Sequence, residues 1–248
     1  MKAILLAAGV GKRLGGVHDG PKCLLEFAGR SLLERHFEAL DAVGVDGVTL
    51  CLGHAAEAIV AAIPPRWRAR TVVHYNPLYT LGSVISLWCA RQALASGDAV
   101  LVMDADVLYH RDILARLAAS RQAGVFLIDR DFVPGDEPVK ICLDGARIVE
   151  FRKRLPPDLR YTAIGESVGF FKFDAATALE LAQRLGAYVA DDRREQPHEE
   201  TLRDLALDPA LHIAVEDVTG LPWIEIDFPE DIARATQDIL PRVDDATT

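Results

Sequence analysis

Ala3-Ile4-Leu5-Leu6-Ala7-Ala8-Gly9-Val10-Gly11-Lys12-Arg13-Leu14 passes from an unbroken apolar run into a glycine-rich, basic turn. A short apolar run bounded by glycine has the length of a buried strand and falls well short of a bilayer span. The same signature recurs at residues 48–52, 71–75, 99–103 and 125–128, with helical patterns between the runs. Strands of this kind joined by helices predict an α/β chain with a largely parallel sheet.

Working outward, Ser31 and Glu34 form an S-x-x-E capping box that predicts a helix through Val43, with Gly44 at its C-terminal cap. A second helix is expected over residues 83–95, ended by Gly97. After Asp129 the alternation breaks: residues 139–143 and 147–151 flank Asp144-Gly145, a dipeptide suited to a tight hairpin turn. The second half therefore adds antiparallel elements. A strand over 166–173 precedes a helix over 175–185, and the polar stretch 191–200 reads as a mobile loop, a candidate lid, entering another helix. Residues 223–227 form a last strand, and Pro229 opens the closing helix. No repeat or linker divides the chain, so one domain over 1–248 is expected.

The chain of 248 residues is half apolar, enough for one sizeable core. Its net charge of −10 and scattered lysines and arginines argue against a nucleic-acid partner. Four widely spaced cysteines, Cys23, Cys51, Cys89 and Cys142, indicate neither zinc site nor disulfide framework, and Cys51 and Cys89 are expected to be packed. The first apolar run follows a single Lys2 without a signal-cleavage pattern, so a cytoplasmic protein with no membrane partner is expected. An acidic chain that takes an anionic substrate needs a local basic site, and Lys12, Arg13 and Lys22 supply one.

Glycines in the first loop let the backbone aim N–H groups at an anion, although an ordinary strand-to-helix turn fits the glycines alone equally well. Two familiar phosphate loops fail on spacing. A P-loop requires glycine at Leu6, and a dinucleotide fingerprint requires its third glycine at Leu14. Leu6-Ala7-Ala8-Gly9-x-Gly11-x-Arg13-Leu14, followed by Pro21-Lys22-x-Leu24-Leu25-Glu26, instead resembles the signature of the sugar-phosphate nucleotidyltransferase and MobA-like superfamily. The resemblance implies a Rossmann-like three-layer sandwich with a mixed, mostly parallel central sheet and a small antiparallel addition. It further implies a nucleotide-binding half over 1–130 and an acceptor-binding half over 131–248. Leu6, Ala7, Ala8, Gly9, Gly11 and Lys12 are then nucleotide contacts, and Arg13 and Lys22 neutralise the reacting phosphates. Lys12 stands where Ser or Thr is usual.

Residues 99–103 end in Asp104-Ala105-Asp106, and ligand sites of parallel α/β sheets lie beyond the carboxyl ends of strands. A carboxylate there suits Mg²⁺, which takes carboxylate and phosphate oxygens together. Asp104 either caps the turn or contacts nucleotide. Glu225 and Asp227 alternate with apolar residues, which a solvated strand face also explains. Trp223-x-Glu225-Ile226-Asp227 followed by Pro229-Glu230-Asp231 is similar to the closing motif of the cytidylyltransferase branch. That resemblance assigns Asp106 and Asp227 to magnesium with Glu225 beside them.

Asn76-Pro77-Leu78-Tyr79-Thr80-Leu81-Gly82-Ser83 resembles the loop of LicC-like phosphocholine cytidylyltransferases that precedes a Ser-Leu helix, which implies nucleotide contacts at Asn76 and Ser83. Paired asparagines of those relatives are replaced by Gly82-Ser83. A quaternary ammonium would seek aromatic faces, for which Trp88, Tyr188 and Trp223 are candidates, Trp88 reading as core. His198-Glu199-Glu200 stands where choline-type relatives carry an aromatic-Glu pair, which favours a polyol phosphate or an aminoalkyl phosphonate over choline. Glu166, Ser167, Glu199, Trp223 and Glu225 are the expected acceptor contacts, and Lys153 is either a catalytic lysine at the acceptor phosphate or part of a solvated basic turn. The resemblance thus implies CMP transfer from CTP to a small phosphorylated or phosphonylated acceptor. A uridylyl- or other NTP transferase acting on a sugar phosphate is the alternative, as is a silent nucleotide-binding regulatory domain. A homodimer is compatible with the sequence.

Overall fold

The computed structural model describes residues 1–16, 18 and 20–244. Besides a hairpin of two-residue strands, Glu26–Phe27 with Arg30–Ser31, its strands are β1 (Lys2–Ala7), β2 (Gly47–Leu52), β3 (Thr71–Tyr75), β4 (Val100–Asp104), β5 (Val107–Tyr109), β6 (Gly124–Asp129), β7 (Lys140–Asp144), β8 (Arg147–Arg152), β9 (Ala163–Phe173), β10 (Ile213–Asp217) and β11 (Trp223–Glu225). The main helices are α1 (Leu32–Ala42), α2 (Ser83–Cys89), α3 (Arg111–Ala119), α4 (Ala175–Ala190), α5 (His198–Ala206) and α6 (Pro229–Arg234).

β3, β2, β1 and β4 run parallel in that order, and β9 then pairs antiparallel with β4. The long β9 also pairs with β6 and β7, β7 with β8 through the Asp144-Gly145 turn, and β6 with parallel β10. The sheet is therefore mixed: the first half of the chain builds its four-stranded parallel part, and the second half adds the antiparallel strands and one further parallel pair, β6 with β10. Side chains leave a strand alternately to its two faces. Ala3 and Leu5 accordingly join Leu50, Leu52, Leu101 and Met103 in a core closed by α1 and α3. Ile4 joins Cys51, Val100 and Val102 in a second core closed by α2, α4 and α5. That arrangement is a three-layer sandwich.

The capping box holds: Ser31 Oγ accepts from the Glu34 N–H and Glu34 Oε2 accepts from the Ser31 N–H. Gly44 is left-handed at φ +72°. Other boundaries move. The helix expected over 83–95 breaks at Ala90 into Ser83–Cys89 and Arg91–Leu94. The helix expected to stop at Leu185 continues to Ala190: Gly186 lies inside it, with the Trp88 ring at ordinary van der Waals distance, 3.4 Å, from where a Cβ would stand. Residues 198–200, expected in the polar loop, form the first turn of α5. β11 ends at Glu225 rather than at Asp227. Cys51 is buried, but Cys89 is only half-buried, whereas Cys23 and Cys142 are buried as well. Among the described residues, no helix is long and apolar enough to cross a membrane.

A small two-stranded sheet positions the site. β5, just after the Asp104–Asp106 turn, pairs antiparallel with β11, placing Val107 opposite Glu225 and Tyr109 opposite Trp223. The Ile226 N–H then donates to the Asp106 carbonyl at 3.0 Å. Two acidic segments more than a hundred residues apart in sequence are thereby zipped together at the carboxyl end of β4.

Candidate active site

The loop after β1 folds over a cleft of about 480 Å³ at the carboxyl ends of β1 and β4. Gly11 is left-handed at φ +67°, and a Cβ on it would press on Lys22 Cγ at 3.3 Å. Glycine there both permits the turn and leaves room for the Lys22 stem to pass beneath it. A single tight turn, Lys12–Leu14, buries Leu14 and leaves Lys12 and Arg13 exposed at the rim.

Lys22 Nζ donates to Asp106 Oδ2 at 3.0 Å and to Asp227 Oδ1 at 2.6 Å. Arg13 Nη1 reaches Asp227 Oδ2 at 3.1 Å, and its guanidinium lies over the Phe228 ring. Burial works against the Lys22 ammonium, yet the two aspartates beside it hold its pKa above the ordinary lysine range. Asp227 likewise loses solvent, but Lys22 and Arg13 keep its pKa below the usual carboxylate range. Asp106, Glu225 and Asp227 each bring one carboxylate oxygen within 4.8 Å of the others. Glu225 reaches solvent through the cleft mouth while protein crowds its other sides. That crowding, with the charges of Asp106, Asp227 and Asp104, raises its pKa well above the glutamate range. Burial, then Asp106 and Glu199, does the same to Asp104. Two carboxylates thus hold the lysine and a third, that of Glu225, lies beside them, and this all-oxygen donor set fits a hard divalent cation such as Mg²⁺.

Leu6, Ala7, Gly9, Gly11, Lys12, Ser83, Lys153 and Glu225 line the same cleft. Several other expected contacts do not reach it. Ala8 is buried, and its carbonyl accepts from the His54 N–H. Asn76 is fully buried: its amide donates to Ser86 Oγ and its Oδ1 accepts from the Leu78 N–H, so it shapes the loop instead of touching a ligand. Asp104 sits behind the cleft wall, against left-handed Gly169, where a Cβ would come within 2.5 Å of its carboxylate. Among the described residues its carboxylate makes no turn-capping hydrogen bond. Ser167 is buried, with its hydroxyl accepting from the Gly169 N–H. Tyr188 is buried under Arg193, with its hydroxyl donating to Asp204, and Trp88 is covered by Arg91.

The remaining acceptor candidates divide between two flanking cavities. Glu199 lines one with Arg13 and Lys153, its carboxylate 3.1 Å from His198 Nδ1. Glu166 and Trp223 line the other with Glu225 and Asp227. There the Trp223 indole donates to Asp129 at 2.8 Å. Burial, aided by nearby Asp129, raises the Glu166 pKa to about 7. Tyr79 and Thr80 also line the central cleft, Tyr79 lying over Gly53 where any Cβ would clash with its ring. Their signal was membership of the quoted 76–83 loop. The 191–197 segment is fastened rather than free: the Gly82 and Val84 N–H groups donate to the Arg194 and Gln196 carbonyls. A Cβ on Gly82 would collide with the Gln196 carbonyl.

Residues 3–161 match the model of the MobA-like NTP transferase domain. The chain belongs to this family. Over 241 residues it is 29% identical to a bifunctional IPC transferase and DIPP synthase of Rubrobacter xylanophilus, covering 96% of this chain and 52% of that protein. It is 34% identical over 249 residues to a CMP-5'-(3-aminopropyl)phosphonate synthase of Streptomyces rubellomurinus, covering 95% of this chain and 38% of that protein. The chain thus spans about half or less of the length of these two relatives. The inositol-1-phosphate CTP transferase of T. maritima shares the fold, with a TM-score of 0.76 at 20% identity, covering 100% of this chain and 97% of that one.

Proposed function

We propose that the chain transfers CMP from CTP to a small phosphorylated or phosphonylated acceptor and releases pyrophosphate. The observation that carries this reading is the Lys22 ammonium seated between Asp106 and Asp227 directly under the glycine loop. A phosphoryl-transfer centre requires a fixed cation beside carboxylates able to hold a metal, next to a backbone cradle for phosphates. The choice of CTP is supported by the phosphonate relative, whose name specifies a CMP product, and by the fold neighbour, whose name specifies CTP.

In this reading an ionised oxygen of the acceptor attacks the α-phosphorus of CTP, the bond to the β-phosphate oxygen breaks, and pyrophosphate departs with the electron pair. An ionised nucleophile needs no general base. Lys22 offsets charge on the α-phosphate, Arg13 and Lys12 offset it on the departing pyrophosphate, and Lys153 faces the acceptor phosphate. Asp106 and Asp227, with Glu225 beside them, would hold Mg²⁺, which supplies further charge neutralisation when bound. The first half of the chain then serves the nucleotide and the second half the acceptor. Pyrophosphate release, assayed with each nucleoside triphosphate against phosphocholine, inositol and glycerol phosphates, sugar phosphates and aminoalkyl phosphonates, tests the reading. Release that requires CTP, magnesium and one acceptor is expected. Release with UTP and a sugar phosphate instead would overturn it.

A further inference from the structure

Away from the Lys22 cluster, the cleft has a second point where charges converge. Arg13 Nη1 donates to Glu137 Oε2 at 3.0 Å, and Lys153 Nζ donates to the same oxygen at 3.3 Å. An oxygen shared by a guanidinium and an ammonium has the charge and hydrogen-bonding demand of a phosphoryl oxygen. The flanking cavity of about 480 Å³ opens onto all three residues. Its other arginines already face carboxylates of the chain: Arg152 lies 2.6 Å from Glu200, and Arg154 lies 3.9 Å from Asp136. With its cations matched, the cavity admits a dianion only if one of these carboxylates withdraws.

Glu137 is suited to do so, and its oxygen is the one shared by two cations. Arg13, Glu137 and Lys153 have side chains 48, 52 and 40% exposed, and ion pairs so open to water are weak. The backbone need not move. Lys140, itself buried, donates to the carbonyls of Gly135, Pro138 and Lys153, which ties the Glu137 loop to the segment carrying Lys153. Rotation of the Glu137 side chain alone uncovers Lys153 and the side of Arg13 that faces the flanking cavity, while Arg13 keeps its contact with Asp227.

The geometry points to an oxyanion site between Arg13 and Lys153 that the Glu137 carboxylate fills until a phosphoryl or phosphonyl group displaces it. Which group arrives rests on the phosphoryl-transfer reading; the site itself does not.

The test is a binding titration of the full chain, at fixed ionic strength, with inorganic pyrophosphate, CTP and methylphosphonate as probes. Glu137→Gln is expected to tighten binding of at least one probe class about three- to tenfold, and Lys153→Gln to weaken that same class. Glu230→Gln removes an equal charge at the rim of the other flanking cavity and is expected to change affinity less than about twofold, since it acts only through screened, longer-range attraction. Tightening confined to pyrophosphate and CTP assigns the site to the nucleotide tail; tightening confined to methylphosphonate assigns it to the acceptor. Unchanged or weaker binding in Glu137→Gln, equal tightening in Glu230→Gln, or no binding of any probe by any variant overturns the proposal. Because binding needs no turnover, a chain that binds pyrophosphate through this site yet transfers no CMP would refute the reaction and leave the site standing.

Discussion

Two ion-pair clusters share one cleft and differ mainly in their access to water. In the Lys22–Asp106–Asp227 cluster the side chains are only 15 to 22% exposed, whereas Arg13, Glu137 and Lys153 are at least 40% exposed. Contact distances in the two are similar, so geometry alone does not separate their roles. Burial does. Charges withdrawn from water interact strongly and penalise the loss of a partner heavily, whereas exposed pairs are screened and exchange readily with ions. The inner cluster is therefore a fixed part of the site, and the outer one is a set of contacts that substrate can replace.

The sharpest way to break this comparison is Asp106→Ala. It removes a candidate metal ligand and one of the two carboxylates on Lys22, and turnover is expected to fall about a thousandfold or more with the fold retained. Steady-state pyrophosphate release, with circular dichroism as the fold control, measures it, and near wild-type turnover would refute the assignment of the inner cluster to catalysis. Lys22→Gln follows, with an expected loss of about a hundredfold in kcat/KM. It also leaves Asp106, Asp227 and Glu225 without their central cation. The variant should therefore melt lower than wild type in metal-free buffer and regain part of that loss when magnesium is added. Recovery by magnesium is the informative arm, because a purely structural lysine gives no reason for it.

The inner cluster was largely legible in the sequence because each member sits in a short local pattern. The glycines, Arg13 and Lys22 fall within one loop region, Asp106 follows a strand end, and Asp227 follows an alternating strand. What the pattern did not show is why they meet, since that depends on pairing of β5 with β11. Glu137 had no local signal at all: it lies among Pro134, Gly135, Asp136 and Pro138, and only the tertiary fold brings it to Arg13, 124 residues away. Asn76 and Ser167 failed for the opposite reason. A polar side chain that satisfies buried backbone groups and one that faces a ligand look alike in sequence, and only the partner distinguishes them. The strand and helix order was readable because both cores repeat the period of their elements; the helix ends at Ala90 and Ala190 were not, because no glycine or proline marks the break at Ala90 and Gly186 lies inside α4 instead of ending it.

Glu166 tests the intermediate case, a half-buried carboxylate near Asp129 with a pKa raised to about 7. A carboxyl pKa above its unfolded value means that the native state holds the proton more tightly. Its contribution to stability is thus greatest below the unfolded pKa of about 4.3 and is lost as pH rises through about 7. Glu166→Gln, which cannot ionise, should therefore be more stable relative to wild type at pH 8 than at pH 5, by about 1–3 kcal/mol. Urea denaturation at the two pH values measures this. A difference independent of pH would mean that Glu166 is solvated in the native state like the outer cluster.

Lys12 should give the smallest effect, and it sharpens the comparison from the exposed side. It stands at the rim of the glycine loop, lines the cleft and makes no hydrogen bond or ion pair among the described residues. Unlike Arg13, it has no carboxylate partner among the described residues to release before it meets a phosphate. Its whole contribution should thus appear as attraction to a bound polyphosphate, weakened by water and salt. Lys12→Ser is expected to raise KM for the nucleotide about three- to fivefold at low ionic strength, and the difference should shrink as salt is added. A larger, salt-insensitive loss centred on kcat would place Lys12 against the leaving pyrophosphate in a dehydrated site. In that case the nucleotide itself would bury the rim, and exposure in the free chain would be a poor guide to which cations are fixed.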